Sequence, residues 1–501
     1  MFKNHPKGLI VAFFANMGER FGFYTMMAIL VLFLQAKFGL AADDAGIIYS
    51  VFYTLIYALA LVGGFLADRT QNYKGIILIG IVIMFLGYAI MATPGTGLVI
   101  TLLGFFTISL GNGLFKGNLQ ALVGQMYDAP QYAHLRDSAF SIFYMGINIG
   151  AFYAPFAAAG IKNFFMENFG TTLAQGYNAA FGVASAGMVI SLIIFQIFKK
   201  YYKDADYQSK NETNNEKDIV LTKSQERERV IALLTIFGIV IFFWMAFHQN
   251  GAALSLFARD YTHPIVGKFT FLLFDVIGLH ALLAIILGGS VLLKKTSTSK
   301  SKLISGSFVL AGILILIYKI NFLPAEGTIS PEQFQAFNPM FIVLMTPVIV
   351  GMFAWMNKKG KEPSSPAKIG IGMLITALAY VIMIVASLGL APVHSLNGAG
   401  SAITVSPFFL ISTYFTLTIA ELHLSPMGLS FVSKVAPPRM KGLLMGGWFG
   451  ATAIGNYLAG FVGRYYQEWE LWQFFLILIV CASLAAFMVL LTLKKLKKAT
   501  E

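Results

Sequence analysis

Fourteen apolar runs follow one another along this chain of 501 residues. A membrane-spanning helix needs roughly 20 predominantly apolar residues, because lipid offers its backbone no hydrogen-bond partner outside the helix. The runs cover approximately 9–36, 44–67, 75–93, 98–126, 137–160, 175–198, 230–257, 267–293, 303–320, 338–356, 368–390, 406–433, 441–462 and 470–493. This pattern predicts an all-α membrane protein that crosses the bilayer once with each run.

The composition agrees with a chain whose surface faces lipid. Hydrophobic residues make up 57% of the sequence and charged residues only 12%, whereas soluble domains carry about 25% charged residues. These values exclude a soluble enzyme, a disordered protein and a nucleic-acid binder with a basic face. The single cysteine, Cys481, lies in an apolar run, so a disulfide framework is excluded as well.

The basic residues are distributed unequally between the two sides of the predicted membrane. With both termini in the cytoplasm, 28 of the 36 Lys and Arg residues fall in cytoplasmic segments. The outer loops then contain Lys37, Lys162, Arg259, Lys268, Lys319 and Arg464, and two basic residues, Arg20 and Lys116, lie inside spans. Because positive charge accumulates on the cytoplasmic side, this bias predicts that orientation in a bacterial inner membrane. The net charge of +13 therefore requires no nucleic-acid partner.

Ionisable residues inside the spans are few and are the strongest indication of a functional site. Such a residue costs at least ~2.5–3.5 kcal/mol at the bilayer centre, so it usually faces a cavity and has a partner. The spans contain Glu19, Arg20, Lys116, His248, Asp275, His280, Glu421 and His423. We interpret Asp275 and His280 as residues near an outer end that reach water. For His248 and His423, packing residues with satisfied hydrogen bonds remain an equal alternative.

Three runs place polar side chains on one helical face. Asn16, Glu19, Arg20, Tyr24 and Met27 share a face of the first run. Tyr144 and Asn148 are four residues apart in the fifth run, and Glu421 and Ser425 are four apart in the twelfth. We expect these faces to point away from lipid and to line a polar cavity to which both halves of the chain contribute.

The charges on these faces suit a zwitterionic ligand. Arg20 and Lys116 place the positive excess in the first half, whereas Glu421 stands alone in the second. A carboxylate would be attracted to the first pair and an ammonium group to Glu421. The alternative is that Glu19, Arg20 and Lys116 form a structural ion network that only joins two helices.

Five motifs in order resemble those of the proton-dependent oligopeptide transporters, a branch of the major facilitator superfamily. They extend from the first run to the twelfth. In sequence order they are Asn16-Met-Gly-Glu19-Arg20-Phe-Gly-Phe-Tyr24, Gly63-Gly64-Phe-Leu-Ala-Asp68-Arg69, Gly111-Asn-Gly113-Leu-Phe-Lys116-Gly-Asn118, Phe140-Ser-Ile-Phe143-Tyr144-Met-Gly-Ile-Asn148-Ile-Gly150 and Glu421-Leu-His-Leu-Ser425-Pro426-Met-Gly428-Leu-Ser430. The resemblance implies two six-helix bundles that rock around one central site.

The resemblance also implies roles for individual residues in the import of di- and tripeptides with protons. Arg20, Tyr24 and Lys116 would bind the peptide carboxylate, and Asn148, Asn338 and Glu421 the amino end. Side-chain pockets would be lined by Tyr57, Tyr144, Ser425 and Trp448. The candidates for proton coupling are Glu19, Glu421 and His248. The resemblance implies no cofactor and no metal, and we expect a monomer whose partners are substrate, protons and lipid.

The one long polar segment, 199–229, divides the first six runs from the rest and predicts the domain boundaries. Residues 1–198 form the first bundle, 199–229 a cytoplasmic linker, and 230–501 the second bundle. Two additional helices at about 267–320 are inserted in the second bundle, because the element around Trp244 precedes them and Asn338-Pro339 follows. We expect these two helices to cover lipid-facing surface.

Departures from the family motifs leave substrate and coupling open. Asn16 stands where the family has a glutamate, Phe23 where it has a tyrosine, Met27 where it has an arginine, and His248 where an acidic residue is common. The alternatives are a transporter of the same fold for an amino acid, an organic anion or a modified peptide, and uncoupled peptide facilitation. From other classes, a nutrient-sensing receptor would bind without flux. A membrane enzyme is disfavoured, because H-E-x-x-H, G-x-S-x-G and P-loop motifs are absent from the sequence.

Overall fold

Fourteen long helices make up most of the molecule. The computed structural model describes residues 4–127, 130–133, 135–203, 222–294, 297–396, 400–437 and 440–498. Thirteen helices in this part of the chain are long and apolar enough to cross a membrane, and Lys441–Gly463 forms one more long helix. The predicted all-α fold with fourteen spans is confirmed.

The long helices of the first half are α1 (Lys7–Phe38), α2 (Ala42–Thr70), α3 (Tyr73–Ala92), α4 (Leu98–Gln125), α5 (Arg136–Phe169) and α6 (Leu173–Ile197). Helix α1 packs along α5 and α6, and α4 packs along α2 and α3. Close approach of α2 and α4 requires glycine, because a Cβ atom at Gly63 would lie 2.2 Å from the carbonyl oxygen of Gly113. Small residues at such crossings let helix backbones pack closely in lipid.

The second half begins with α7 (Lys223–Phe247), which continues through a 3-10 turn (His248–Gly251) into a short helix (Ala253–Tyr261). The remaining long helices are α8 (Val276–Leu293), α9 (Ser299–Phe322), α10 (Phe337–Lys358), α11 (Ser365–Ser387), α12 (Phe408–Val435), α13 (Lys441–Gly463) and α14 (Leu471–Lys498). Helix α11 packs along α12 and α14, and α7 packs along α13. The halves meet chiefly where α2 packs against α13 and where α5 packs against α10 and the 3-10 turn Pro331–Ala336 before it.

The two inserted helices form a hairpin at the edge of the molecule. Helices α8 and α9 pack mainly against each other, and little of either is buried. A two-stranded antiparallel sheet closes the base of the hairpin, with β1 (Ile265–Gly267) paired to β2 (Glu326–Thr328). That these two helices cover lipid-facing surface stays a prediction.

Several predicted ends differ from the observed ones. The eighth run was expected from residue 267, but α8 begins only after Asp275, whose side chain accepts a hydrogen bond from Gly278 N and caps the helix. The fifth run was expected to end at residue 160, but α5 continues to Phe169, so Lys162 lies inside a helix and not in a loop. In the predicted linker 199–229, residues 204–221 lie outside the described residues, and α7 already begins at Lys223.

An even number of spanning helices places both chain ends on one side of the molecule. We call this side the terminal face; it contains the start of α1 and the end of α14. The opposite side, the far face, contains the ends of α1 and α5, the short helix Ala253–Tyr261 and the hairpin base. Between these faces the two halves enclose the candidate site.

Candidate functional site

A cavity of about 130 Å³ lies at the centre of the molecule, between the two halves. Tyr24 of α1 and Tyr57 of α2 line it from the first half. The second half contributes His248 after α7, Asn338 at the start of α10 and Glu421 of α12. The remaining lining residues are Met27, Tyr49, Tyr53, Ala151, Pro155, Trp244, Phe247, Asn250, Gln335 and Pro339. The structure thus brings five of the predicted site residues to one cavity.

The carboxylate of Glu421 is held by an amide and not by a cation. Asn338 Nδ2 donates one hydrogen bond to Glu421 Oε2 at 2.9 Å and another to Thr418 Oγ1 at 3.0 Å. Thr418 in turn donates to the carbonyl oxygen of Tyr414 at 2.7 Å, which fixes its hydroxyl as an acceptor for the amide. Among the described residues, no Lys, Arg or His forms an ion pair with Glu421. A cationic ligand group is the partner that this geometry lacks.

Glu19 and Arg20 form a closed ion pair on α1. Arg20 Nε donates to Glu19 Oε2 at 2.5 Å, and Arg20 Nη2 donates to Oε1 at 2.9 Å. Asn112 Nδ2 of α4 adds a third donor to Glu19 Oε1 at 2.6 Å. The Arg20 guanidinium also lies 4.9 Å from the ring centre of Phe23. Both charged side chains are buried and neither lines the cavity.

Lys116 of α4 contacts an aromatic ring, and the nearby Glu19 carboxylate interacts with it electrostatically without forming an ion pair. Its Nζ lies 4.2 Å from the ring centre of Tyr57, and Tyr57 also lines the cavity. Within the described chain, Lys116 forms no ion pair. Asn16, on the same face of α1 as Glu19, is buried, and its Nδ2 atom has no hydrogen-bond partner. Lys116 itself does not line the cavity, but the Tyr57 ring that it contacts does.

Tyr144 and Asn148 lie on α5 between the cavity and the terminal face. Asn148 Nδ2 donates to the carbonyl oxygen of Tyr144 at 3.0 Å, so this amide is partly occupied. Tyr144 is 46% exposed. Neither residue lines the cavity, but Ala151 and Pro155 do so farther along the same helix.

Ser425 and Trp448 lie behind the cavity wall and do not line it. The Ser425 hydroxyl is buried and has no hydrogen-bond partner. Trp448 is buried, packs edge-on against Phe237 with ring centres 6.4 Å apart, and covers Gly428. A Cβ atom at Gly428 would lie 1.9 Å from the indole ring, so this helix contact requires glycine.

The two histidines of the second half have different surroundings. His248 lies where α7 gives way to the 3-10 turn, and its Nδ1 is 3.1 Å from the carbonyl oxygen of Trp244. Its ring is 4.5 Å from that of Tyr53 and stacks on Trp244 at 5.2 Å, with one edge at the cavity. His423 instead contacts the carbonyl oxygen of Ile419 at 2.8 Å and packs against Phe353, away from the cavity. The packing alternative therefore describes His423 better than His248.

A buried ion pair on the far face was missed by sequence reasoning. Lys162 Nζ lies 2.5 Å from Glu332 Oε1, with the side chains 7% and 0% exposed. Lys162 belongs to α5, and Glu332 to the 3-10 turn Pro331–Ala336 that leads into α10, so the pair joins the two halves. Lys162 was expected in an outer loop, and this placement is wrong because α5 extends past it. The four-residue spacing of Lys162 from Ala158 on the buried side of α5 is the signal that could have placed it in the helix.

Further contacts close the far face above the cavity. Arg259 Nη1 donates to Gln35 Oε1 of α1 at 2.5 Å. Gln335, a cavity residue, donates from Nε2 to the carbonyl oxygen of Met27 at 3.4 Å and to Ser255 Oγ at 3.0 Å. Asp275 and His280 do not take part in this closure. Asp275 pairs with Lys319 at 2.9 Å inside the hairpin, and His280 stacks on Tyr153 of α5.

Solved structures of known transporters share this architecture. A mutant of the peptide transporter POT in complex with alafosfalin superposes with a TM-score of 0.76 and 25% identity, and the match covers 100% of this chain and 96% of that chain. A POT family transporter in complex with 5-aminolevulinic acid has a TM-score of 0.75, 22% identity and coverage of 100% and 98%. The second likeness is one of fold alone.

Sequence relatives point to the same group. The dipeptide and tripeptide permease A of Escherichia coli (strain K12) is 27% identical over 523 residues, covering 99% of this chain and 94% of the permease. The protein of the same name from Cronobacter turicensis is 29% identical over 480 residues, covering 92% and 84%. A profile of the POT family matches residues 74–225 and 316–472, which is more than half of the sequence. The chain belongs to the POT family.

Proposed function

We propose that the protein imports di- and tripeptides by alternating access around the central site, driven by an inward proton gradient. The observation that carries this proposal is the pair of unmatched charges on opposite sides of the boundary between the halves. Glu421 lines the cavity and Lys116 lies on α4, and neither side chain forms an ion pair with another described residue. A zwitterion supplies both missing partners at once.

The peptide binds with its amino end in the cavity and its carboxylate toward the first half. Asn338 and Glu421 receive the ammonium group, and Asn148 assists from α5. Lys116, Arg20 and Tyr24 receive the carboxylate, with Arg20 already oriented by Glu19. Tyr57, Tyr144, Ser425 and Trp448 shape the space for the peptide side chains. Ser425 and Trp448 contribute when the helices behind the wall move, because they lie outside the cavity in this conformation.

Proton coupling uses Glu421 and, secondarily, Glu19 and His248. Glu421 accepts one amide hydrogen bond and adjoins the cavity, so a proton and a substrate ammonium compete for the same carboxylate. Glu19 is engaged by three donors and changes protonation only when Arg20 turns toward a peptide. His248 lines the cavity and is the third residue that we propose for proton coupling.

The transport cycle moves residues 1–198 against residues 230–501, with the linker 199–229 between them. In this conformation the far face is closed by Lys162 with Glu332 and by Arg259 with Gln35. The protein lies in the bacterial inner membrane with both termini in the cytoplasm, so the far face is periplasmic. It acts as a monomer and catalyses no chemical conversion.

Counterflow of labelled Ala-Ala in liposomes containing the purified protein tests the proposal. We expect exchange by the wild type and its loss in Glu421→Gln and Lys116→Gln, while the exposed Glu326→Gln on β2 serves as a matched control with normal exchange. Each lost charge partner should weaken binding by about 10- to 100-fold, the value of a hydrogen bond to a charged group. Absence of exchange with every di- and tripeptide would contradict the substrate. Equal accumulation with and without a pH gradient would contradict the coupling.

A further inference from the structure

The central cavity has an unusually aromatic wall. Seven of its lining residues carry aromatic rings: Tyr24, Tyr49, Tyr53, Tyr57, Trp244, Phe247 and His248. Glu421 is the one acidic residue among the lining residues, and the described lining includes neither Lys nor Arg. The cavity is therefore negative and aromatic, in contrast to the positive region around Lys116 and Arg20.

The rings are held in place by one another. Tyr49 and Tyr53 stack with centres 5.7 Å apart, and Tyr53 lies 4.5 Å from His248. His248 stacks on Trp244 at 5.2 Å. This continuous row connects α2 of the first half to α7 of the second. A wall packed in this way is formed before a ligand arrives, so little ordering of side chains opposes binding.

The wall and the carboxylate favour the same kind of ligand group. Aromatic rings attract cations, and they do so best when the cation carries methyl groups and is weakly hydrated. Glu421 supplies the opposite charge, with one of its oxygens bonded to Asn338. The cavity volume of about 130 Å³ is close to that of an apolar cavity of about 150 Å³ that holds one benzene molecule. An ammonium group with a few methyl substituents fills this space, whereas a whole dipeptide does not.

We infer that this cavity is an aromatic subsite for cationic amino groups and that it binds N-methylated ammonium ions as well as primary ones. The inference rests on the proposed function for the orientation of the peptide, with the amino end at Glu421. The substrate class it adds is that of peptides with N-methylated amino ends, and of small quaternary ammonium compounds that carry no carboxylate.

Competition against labelled Gly-Ala in the liposome assay tests whether peptides with N-methylated amino ends bind. Sarcosyl-alanine and N,N-dimethylglycyl-alanine should compete within about 3-fold of Gly-Ala, because aromatic contact replaces the lost hydrogen bonds. N-acetylglycyl-alanine, which is neutral at that end, should compete at least about 30-fold less well, since it leaves Glu421 unpaired. Methylated peptides that compete as poorly as the acetylated one would overturn the inference.

Variants of the wall residues distinguish the contribution of the aromatic rings to binding from that of the Glu421 charge. Tyr53→Leu should weaken binding of N,N-dimethylglycyl-alanine more than binding of Gly-Ala, which lowers the ratio of the two affinities. Tyr53→Phe keeps the ring and should restore this ratio. Tyr318→Leu, at an exposed position on α9, is the matched control and should leave the ratio unchanged. A ratio that does not change in Tyr53→Leu and in Trp244→Leu would contradict a role for the rings.

Choline and its neutral isostere 3,3-dimethylbutan-1-ol test the subsite without any peptide. Choline should raise the melting temperature of the wild type, since a ligand of the native state stabilises it by mass action. The neutral alcohol, and choline added to Glu421→Gln, should give no shift. If choline stabilises the protein but no peptide exchanges, the subsite stands and the proposed function fails. If peptides exchange but choline and methylated peptides do not bind, the subsite is refuted and the function stands.

Discussion

The ammonium group of Lys162 and the carboxylate of Glu332 meet at 2.5 Å inside the far face, although the two residues are 170 positions apart in the chain. The pair joins α5 to the turn before α10, and Ser330 Oγ lies 3.5 Å from the same ammonium. Among the described ion pairs it is the one that joins the halves. The far face must separate these two charges whenever it opens.

Removing one member of this pair should destabilise the closed far face. Glu332→Gln leaves Lys162 unpaired in a buried position, which costs about 3–5 kcal/mol. The double variant Lys162→Gln with Glu332→Gln should recover most of that loss, because no charge remains buried. The free energy of unfolding in detergent gives the double-mutant cycle. Asp275→Asn is the control, since its pair with Lys319 is more exposed and lies within the hairpin.

The same variants should make the cavity reachable from the far face. In a Cys481→Ser background, a cysteine introduced at Ala151 reports on access, because this residue lines the cavity. Labelling of intact cells with a membrane-impermeant maleimide should be faster in Glu332→Gln than with Glu332 intact. Equal labelling rates would show that the ion pair does not hold the far face closed.

Asn112 is expected to position the Glu19–Arg20 pair. Asn112→Ala removes the donor at 2.6 Å from Glu19 Oε1, a hydrogen bond to a charged group worth about 1.5–3 kcal/mol. Asn118→Ala on the same helix is the matched control, because its amide donates to the carbonyl oxygens of Gly63 and Leu114 instead. The pH profile of peptide uptake should change in Asn112→Ala only. If Asn112→Ala and Asn118→Ala both lose stability but keep the pH profile of the wild type, Asn112 acts only as a packing residue.

A loop near the terminal face should confer a small acid sensitivity. The Lys368 ammonium, 2.5 Å away, and then the amide of Asn357 hold the pKa of Glu362 below its ordinary value of 4.5. A carboxyl whose pKa is lower in the folded state contributes stability above its unfolded pKa and loses that contribution as the pH falls through its folded pKa. The melting temperature of the wild type should therefore fall below about pH 4.5 by more than that of Glu362→Gln. Parallel curves for the two proteins would contradict the assignment.

Sequence reasoning reached the number and order of the helices because hydropathy and helical periodicity are local properties. The polar face of α1 was predicted correctly as buried: Asn16, Glu19 and Arg20 are all withdrawn from the surface. The ends of helices were less predictable, since a single cap decides them. Asp275 makes α8 begin later than its apolar run, and α5 passes Lys162 without a break.

The partners of the charged residues could not be predicted from the sequence. Glu332 lies in a polar turn, and only the tertiary fold brings it to Lys162. Arg20 was expected to attract a ligand carboxylate, and in this conformation its guanidinium is bonded to its sequence neighbour Glu19. Nor did the sequence indicate the row of rings beside His248, because aromatic residues are frequent in every span. Such contacts depend on which helices become neighbours, which hydropathy does not encode.

Asn338 should tune the affinity of the cavity for the amino end of the substrate. Its amide donates hydrogen bonds to Glu421 Oε2 at 2.9 Å and to Thr418 Oγ1 at 3.0 Å. Asn338→Ala frees the carboxylate to rotate, so the KM for Ala-Ala should rise by about 10-fold or more while kcat changes less. Thr418→Val keeps the bond between Asn338 and Glu421 and should have the smaller effect. The measurement is initial uptake as a function of peptide concentration. A larger rise of KM in Thr418→Val would show that the threonine hydroxyl, and not the amide, orients the carboxylate.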